Sequence, residues 1–157
     1  RMDRYTKLIT MPNVTLFSPS ISDGGGEFSW RPASDELLNL ANMVRNADLC
    51  INTASTMSLD ALAANIPVIN IAYDEYEANS RKSISRYYQY SHLNPLSASG
   101  GVYISYNRFQ LINQINKVLS DPNKNLIQRR RIISKYCFNS KKSSVDTTVD
   151  MIKNNVS

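Results

Sequence analysis

Residues 47–74 read ADLCINTASTMSLDALAANIPVINIAYD, and the order of apolar and polar positions within them decides the fold. Leu49-Cys50-Ile51 is an apolar run, and Asn52-Thr53-Ala54-Ser55-Thr56 after it is small and polar. Met57, Leu59, Ala61, Leu62 and Ala63 then fall at helical spacing, so the passage predicts a strand, a turn and a helix. Pro67 is expected to close a helix of about a dozen residues. Beyond it, Val68-Ile69-Asn70-Ile71-Ala72-Tyr73 is the β-branched, nearly continuous run of a strand covered on both faces. Strand, helix and buried strand make a βαβ unit, and such a connection joins parallel strands. The fold class is therefore α/β.

Chemistry is expected at the first turn of the central helix. The first amide groups of a helix lack intrahelical acceptors, and the macrodipole adds roughly half a positive charge there. Residues around Ser55 and Thr56 thus form a natural cradle for phosphate, with two hydroxyls as further donors. The same hydroxyls equally suit a simple helix cap. Asp60 follows one turn later, where a carboxylate either complements the dipole or accepts from a ribose whose phosphates lie on the helix start.

This stretch resembles the donor-binding half of GT-B glycosyltransferases, in particular bacterial capsule and surface-polysaccharide enzymes and the CDP-glycerol glycerophosphotransferase-like group. Ala47-Asp48, Ser55-Thr56, Asp60-Ala61, Pro67-Val68-Ile69 and Tyr73-Asp74 carry the resemblance. Many GT-B enzymes place a ribose-binding acidic residue seven positions before that proline, and Asp60 stands seven before Pro67. The chain departs in having Asn65-Ile66 where Gly is common, and Asp where the longer Glu is frequent. The resemblance implies a Rossmann-like parallel sheet flanked by helices, without its first strands. Residues 1–157 would form a single donor-binding domain, a fragment of a longer two-domain enzyme.

Composition agrees with one domain: 157 residues with 42% hydrophobic content suffice for a sizeable core. No apolar run approaches the 18 or so residues of a membrane helix, and no secretory signal opens the chain, so a cytoplasmic location is expected. Cys50 and Cys137 have neither metal nor disulfide spacing and read as reduced core residues. The net charge of +5 is dispersed except at Arg129-Arg130-Arg131 and Lys141-Lys142. A three-arginine run distributes its charge around a helix and reads as a solvated face. Interleaved aromatics are confined to Tyr136 and Phe138, so no nucleic-acid partner is predicted.

Upstream of the central unit, Arg1 to about Thr10 reads as a helix, and Arg4-Tyr5 matches the end of a passage in the resembling families. Val14-Thr15-Leu16-Phe17 is a predicted short strand leading to a loop from Ser18 to Ser34. Its Gly24-Gly25-Gly26 run lacks the ending of a phosphate loop. By resemblance, Trp30 in that loop would stack on a nucleobase and Arg31 would meet phosphate; a Trp that simply pins the loop is the alternative. Ser34-Asp35-Glu36 starts a helix whose stripe is Leu37, Leu38, Leu40, Ala41 and Val44.

Downstream, the span 76–90 is weakly helical and tyrosine-rich, suiting either a sugar cleft or an ordinary amphipathic surface. The one histidine, His92, reads from its loop as structural. The resembling families carry a similar His, Pro, then Ser/Thr-Gly-Gly passage, which implies that His92 assists the leaving nucleotide while Ser99 and Gly100 approach the phosphate. Val102-Tyr103-Ile104 is a further strand, and Asn107 or Arg108 starts a helix that Asp121-Pro122 stops. Residues 125–138 and 145–156 read as two amphipathic helices.

The function implied is transfer of a sugar or polyol phosphate from a nucleotide-activated donor onto a surface glycan, at the inner face of the membrane. Neither a metal nor a cofactor is expected, since fixed amide dipoles and hydroxyls would meet the departing charge. The acceptor and its general base would belong to an N-terminal domain outside this chain, leaving the chain alone inactive. Two alternatives are a non-catalytic nucleotide-sugar-binding subunit and a sugar-nucleotide epimerase. The second needs acid and base carboxylates, for which Asp74, Glu75 and Glu77 are the candidates.

Overall fold

Three parallel strands, β1 (Cys50–Asn52), β2 (Val68–Ile71) and β3 (Tyr103–Ser105), form the sheet in the order β1-β2-β3. Cys50 pairs with Val68 and Asn52 with Asn70, while Ile69 pairs with Tyr103 and Ile71 with Ser105. These positions come from a computed structural model, which describes residues 6–17, 35–75, 83–137 and 142–155. Residues 1–43 and 44–157 form two units.

The second unit is an α/β arrangement with helices on both faces of the sheet. Helix α3 (Met57–Ala63) joins β1 to β2 and lies on the face carrying Cys50, Val68 and Asn70. On the opposite face lies α5 (Arg108–Ser120), where Gln114 meets Ser105 of β3. Strand side chains alternate between faces, so Ile69 goes to the α5 side and Val68 to the α3 side, both fully buried. On the α3 side Ala61, Leu62 and Val68 pack with Leu96, Val102 and Ile132. Leu96 comes from α4 (Asn94–Ser97) and Ile132 from α6 (Leu126–Tyr136). A last helix, α7 (Ser144–Asn155), follows.

Helix α3 has 7 residues, shorter than the dozen expected, because the chain turns before Pro67. Asn65 takes a left-handed conformation with φ of 62°. Ile66 N–H then bonds Ala61 O and Asn65 N–H bonds Leu62 O, both at 2.8 Å, which is the doubly bonded Schellman ending. This explains why Gly is common at that point in the resembling pattern. Asn is the side-chain-bearing residue that best tolerates a positive φ. At the start of α5 the expected cap is present: Asn107 Oδ1 accepts the Gln110 N–H at 2.9 Å.

Several expectations are corrected. Residues 14–17 are irregular, with Val14 and Phe17 exposed, since the short run finds no strand to pair with among the described residues. Among the described residues helix α1 is Thr6–Ile9, and residues 1–5 lie outside them. In α2 (Glu36–Arg45) the expected stripe is broken, because Leu37, Leu38 and Ala41 are exposed. The weakly helical span before Tyr90 holds a 3-10 helix, Ile84–Gln89, while residues 76–82 lie outside the described ones. Cys137 lies just past α6 and is exposed, whereas Cys50 is half-buried as its strand position requires.

Candidate functional site

A parallel sheet has two chemically different ends, and the expected site residues divide between them. Beyond the carboxyl end of β1 the chain passes Thr53 and Ala54 to reach Ser55 and Thr56 at the start of α3. Here Ser55 acts as the cap, its Oγ accepting the Met57 N–H at 3.2 Å. Ser58 N–H and Leu59 N–H bond back to the carbonyls of Ser55 and Thr56. The Ala54 N–H is taken by the Tyr88 hydroxyl at 3.0 Å. That leaves the amides of Ser55 and Thr56 with no protein acceptor among the described residues. Thr56 is exposed and its side chain makes no capping bond. An incoming anion would therefore find two amides and one hydroxyl together.

Beneath this turn lies a polar group that the apolar reading of the strands passed over. Ser58 is fully buried, and its hydroxyl donates to Asn70 Oδ1 at 3.1 Å. Asn52 Nδ2 reaches Ser58 Oγ at 3.3 Å and Cys50 Sγ at 3.6 Å. The signal was present in the sequence, since Asn70 interrupts a β-branched run and a buried amide demands a partner. The Tyr88 hydroxyl also donates to Ile71 O at 2.6 Å, spanning the carboxyl ends of β1 and β2. Burial pushes the Tyr88 phenol above its ordinary value, and the bond from Ala54 N–H works against that rise.

Asp74, just past β2, accepts from Ser83 Oγ at 2.7 Å and from the Ile84 N–H at 3.2 Å. It thereby holds the start of the 3-10 helix. Glu75 stands 4.0 Å from Arg108, with both side chains exposed. Asp74 is thus engaged in a structural role. Glu77 lies outside the described residues. Asp60 is exposed on α3, and its charge helps to raise the thiols of both Cys50 and Cys137, for which burial is the larger cause.

His92 is exposed between the 3-10 helix and α4, its ring 6.0 Å from that of Tyr90. Tyr90 in turn meets Tyr87 edge-on at 5.5 Å, and the Arg86 guanidinium lies 4.8 Å above Tyr87. Tyr76, Trp30 and Arg31 lie outside the described residues.

Ser99 and Gly100 precede the amino end of β3, so they sit at the other pole from Ser55 and Thr56. One phosphate cannot touch both pairs. The passage is instead pinned to α6. Ser99 Oγ accepts the Gly101 N–H at 3.2 Å, and Asn125 Nδ2 donates to Gly101 O at 2.9 Å. Gly101 allows this close approach, because a Cβ there would collide with Cδ1 of Ile132 and lie 3.2 Å from the Gln128 backbone.

The same amino pole holds a buried cation. Arg129 is 1% exposed, which corrects the expectation that the arginine run is a solvated face. Its guanidinium donates to Pro122 O at 2.9 Å, to Asn125 Oδ1, and to Asn65 Oδ1 at 3.4 Å. Nε has no partner among the described residues. Loss of hydration holds Arg129 below its ordinary pKa. The left-handed turn that ends α3 is in this way tied to the start of α6.

The fold and site define a class: an α/β unit with a three-stranded parallel sheet flanked by helices, and a helix start at its carboxyl pole. Comparison with protein-family models, curated proteins and solved structures finds no match.

Proposed function

We propose that this chain is the donor-binding half of a metal-independent glycosyltransferase of the GT-B class, taking a nucleotide-activated sugar or polyol at its carboxyl pole. The observation that carries the reading is the pair of unaccepted amides at Ser55 and Thr56 beyond the end of β1. Ligands of open parallel sheets bind outside the carboxyl ends of the strands, and a diphosphate is the ligand that such a helix start best complements. The sequence resemblance at Ser55-Thr56, Asp60 and Pro67 points to the same pole.

In this reading the amides and the Thr56 hydroxyl hold the donor diphosphate, and Asp60 meets the ribose. His92 stabilises the leaving nucleotide. Charge that develops on the departing diphosphate falls on dipoles fixed before reaction, so little reorganisation is needed at the barrier. The acceptor glycan and its general base belong to a second domain, and the complete enzyme works on surface polysaccharide at the cytoplasmic face of the membrane. Engagement of Asp74 by Ser83 and Ile84 favours this reading over an epimerase.

Titrating UDP, CDP, GDP and ADP derivatives into the chain tests the proposal. One base series should bind, and Ser55→Ala with Thr56→Ala, which removes the Thr56 hydroxyl and the cap that fixes the two amides, should weaken it about tenfold to a hundredfold, a loss of about 1–3 kcal/mol. Equal affinity in the double variant and the parent chain contradicts the proposal.

A further inference from the structure

A cavity among the described residues includes none of Ser55, Thr56 and His92 in its lining. It has a volume of about 1300 Å³ and lies where the end of α3, the second half of α6 and the start of α7 meet. Small-molecule sites commonly occupy roughly 300–1,000 Å³, so there is room for a ligand of that size with its solvent. Leu62, Ile133 and Tyr136 give it an apolar wall, while Arg130, Lys135 and Lys142 give it three cations. No described residue of the lining is a carboxylate.

The charge balance decides what this cavity can take. Lys142 is paired with Asp150, but Arg130 and Lys135 have no carboxylate partner among the described residues. The Lys135 ammonium instead lies 5.1 Å above the ring of Tyr136. Four of the wall hydroxyls are committed: Ser134 donates to Arg131 O, Ser143 to Asp146, and Thr147 and Thr148 to the carbonyls four residues earlier. Recognition of an anion falls first on the cations. Two unneutralised cations beside apolar walls focus a positive potential into the cleft.

We infer that this cavity binds a phosphate group attached to an apolar or aromatic body, with Arg130 and Lys135 on the phosphate and Leu62 and Ile133 against the body. A guanidinium matches two phosphate oxygens at once, and the ammonium adds a point charge. The site includes neither Ser55 nor Thr56 and stands independently of the nucleotide reading. A soluble phosphate ester and a lipid headgroup share this chemistry.

The test follows backbone amides by NMR while the chain is titrated with phenyl phosphate. In a second arm, sedimentation measures binding to phosphatidylcholine vesicles with and without phosphatidic acid. The inference expects saturable shifts on residues 130–136 and 143–148, or binding confined to the phosphatidic acid vesicles. Arg130→Gln with Lys135→Gln should weaken whichever is seen at least tenfold. Both side chains are exposed, and an unchanged far-ultraviolet spectrum checks that the variant folds. Shifts confined to residues 54–57, binding indifferent to the double variant, or no saturable response in either arm overturns the inference.

Discussion

The Tyr88 hydroxyl donates to Ile71 O at 2.6 Å, and the Tyr88 Oη itself accepts the Ala54 N–H at 3.0 Å. One side chain from the 3-10 helix thereby closes across the ends of β1 and β2. It satisfies an amide and a carbonyl that the strands leave unpaired at their ends.

Removing that hydroxyl should be costly. Tyr88→Phe keeps the ring and strands both backbone groups, so a loss of about 1–3 kcal/mol is expected in urea unfolding. Alkali should act in the same direction. The Tyr88 phenol is raised above its ordinary value of 10.0, so the fold favours the protonated form. Its contribution is fully present below pH 10 and disappears as pH rises through the higher folded value. The parent chain should lose more stability in that window than Tyr88→Phe; parallel curves would assign the alkaline loss to other groups, such as Tyr103, which burial also raises.

Ser58→Ala is the corresponding test beneath the helix start. The substitution keeps the volume nearly unchanged but leaves Asn70 Oδ1 without its donor in a fully buried setting. A destabilisation of about 1–3 kcal/mol is expected. Ser58→Ala with Asn70→Leu should cost less than the sum of the two single changes, because neither polar partner is then stranded. Additivity in the urea midpoints would show that the pair is not coupled.

Asn65 and Arg129 should behave as one unit. Asn65→Val places a β-branched residue at φ of 62° and removes an acceptor of the buried guanidinium. It should cost at least the roughly 1–2 kcal/mol of left-handed strain. Asn65→Gly relieves the backbone and loses only the side-chain bond, so it should stay within about 1 kcal/mol of the parent. Arg129→Lys cannot reach three acceptors with one ammonium and should cost about 3 kcal/mol. Denaturation midpoints in the order Asn65→Gly, Asn65→Val, Arg129→Lys check this, and a tolerated Arg129→Lys would contradict it.

The fold was legible where apolar spacing dominates. Leu49 to Asp74 announced a parallel strand–helix–strand unit because Ala61, Leu62 and Val68 must all be buried. Asn107 and Pro122 announced the ends of α5 because capping and a missing amide are local effects. Tertiary partners were not legible. Nothing near Tyr88 in sequence says that its hydroxyl serves Ala54, 34 residues away. Nor does the Arg129-Arg130-Arg131 run say which guanidinium turns inward, since that depends on Asn65 lying 64 residues upstream. Ser55 was legible as a cap, but the place of Ser99 and Gly100 at the other pole was not, because their motif says nothing about strand direction.

The central claim is that the amides of Ser55 and Thr56 receive the donor diphosphate. It is tested most directly by recording their NMR signals while the best-binding nucleoside diphosphate is added. The account predicts that these two amides move downfield along one saturation curve, and that Ser55→Ala with Thr56→Ala weakens the same curve about tenfold or more. Saturable nucleotide binding that leaves both amides where they were would contradict it.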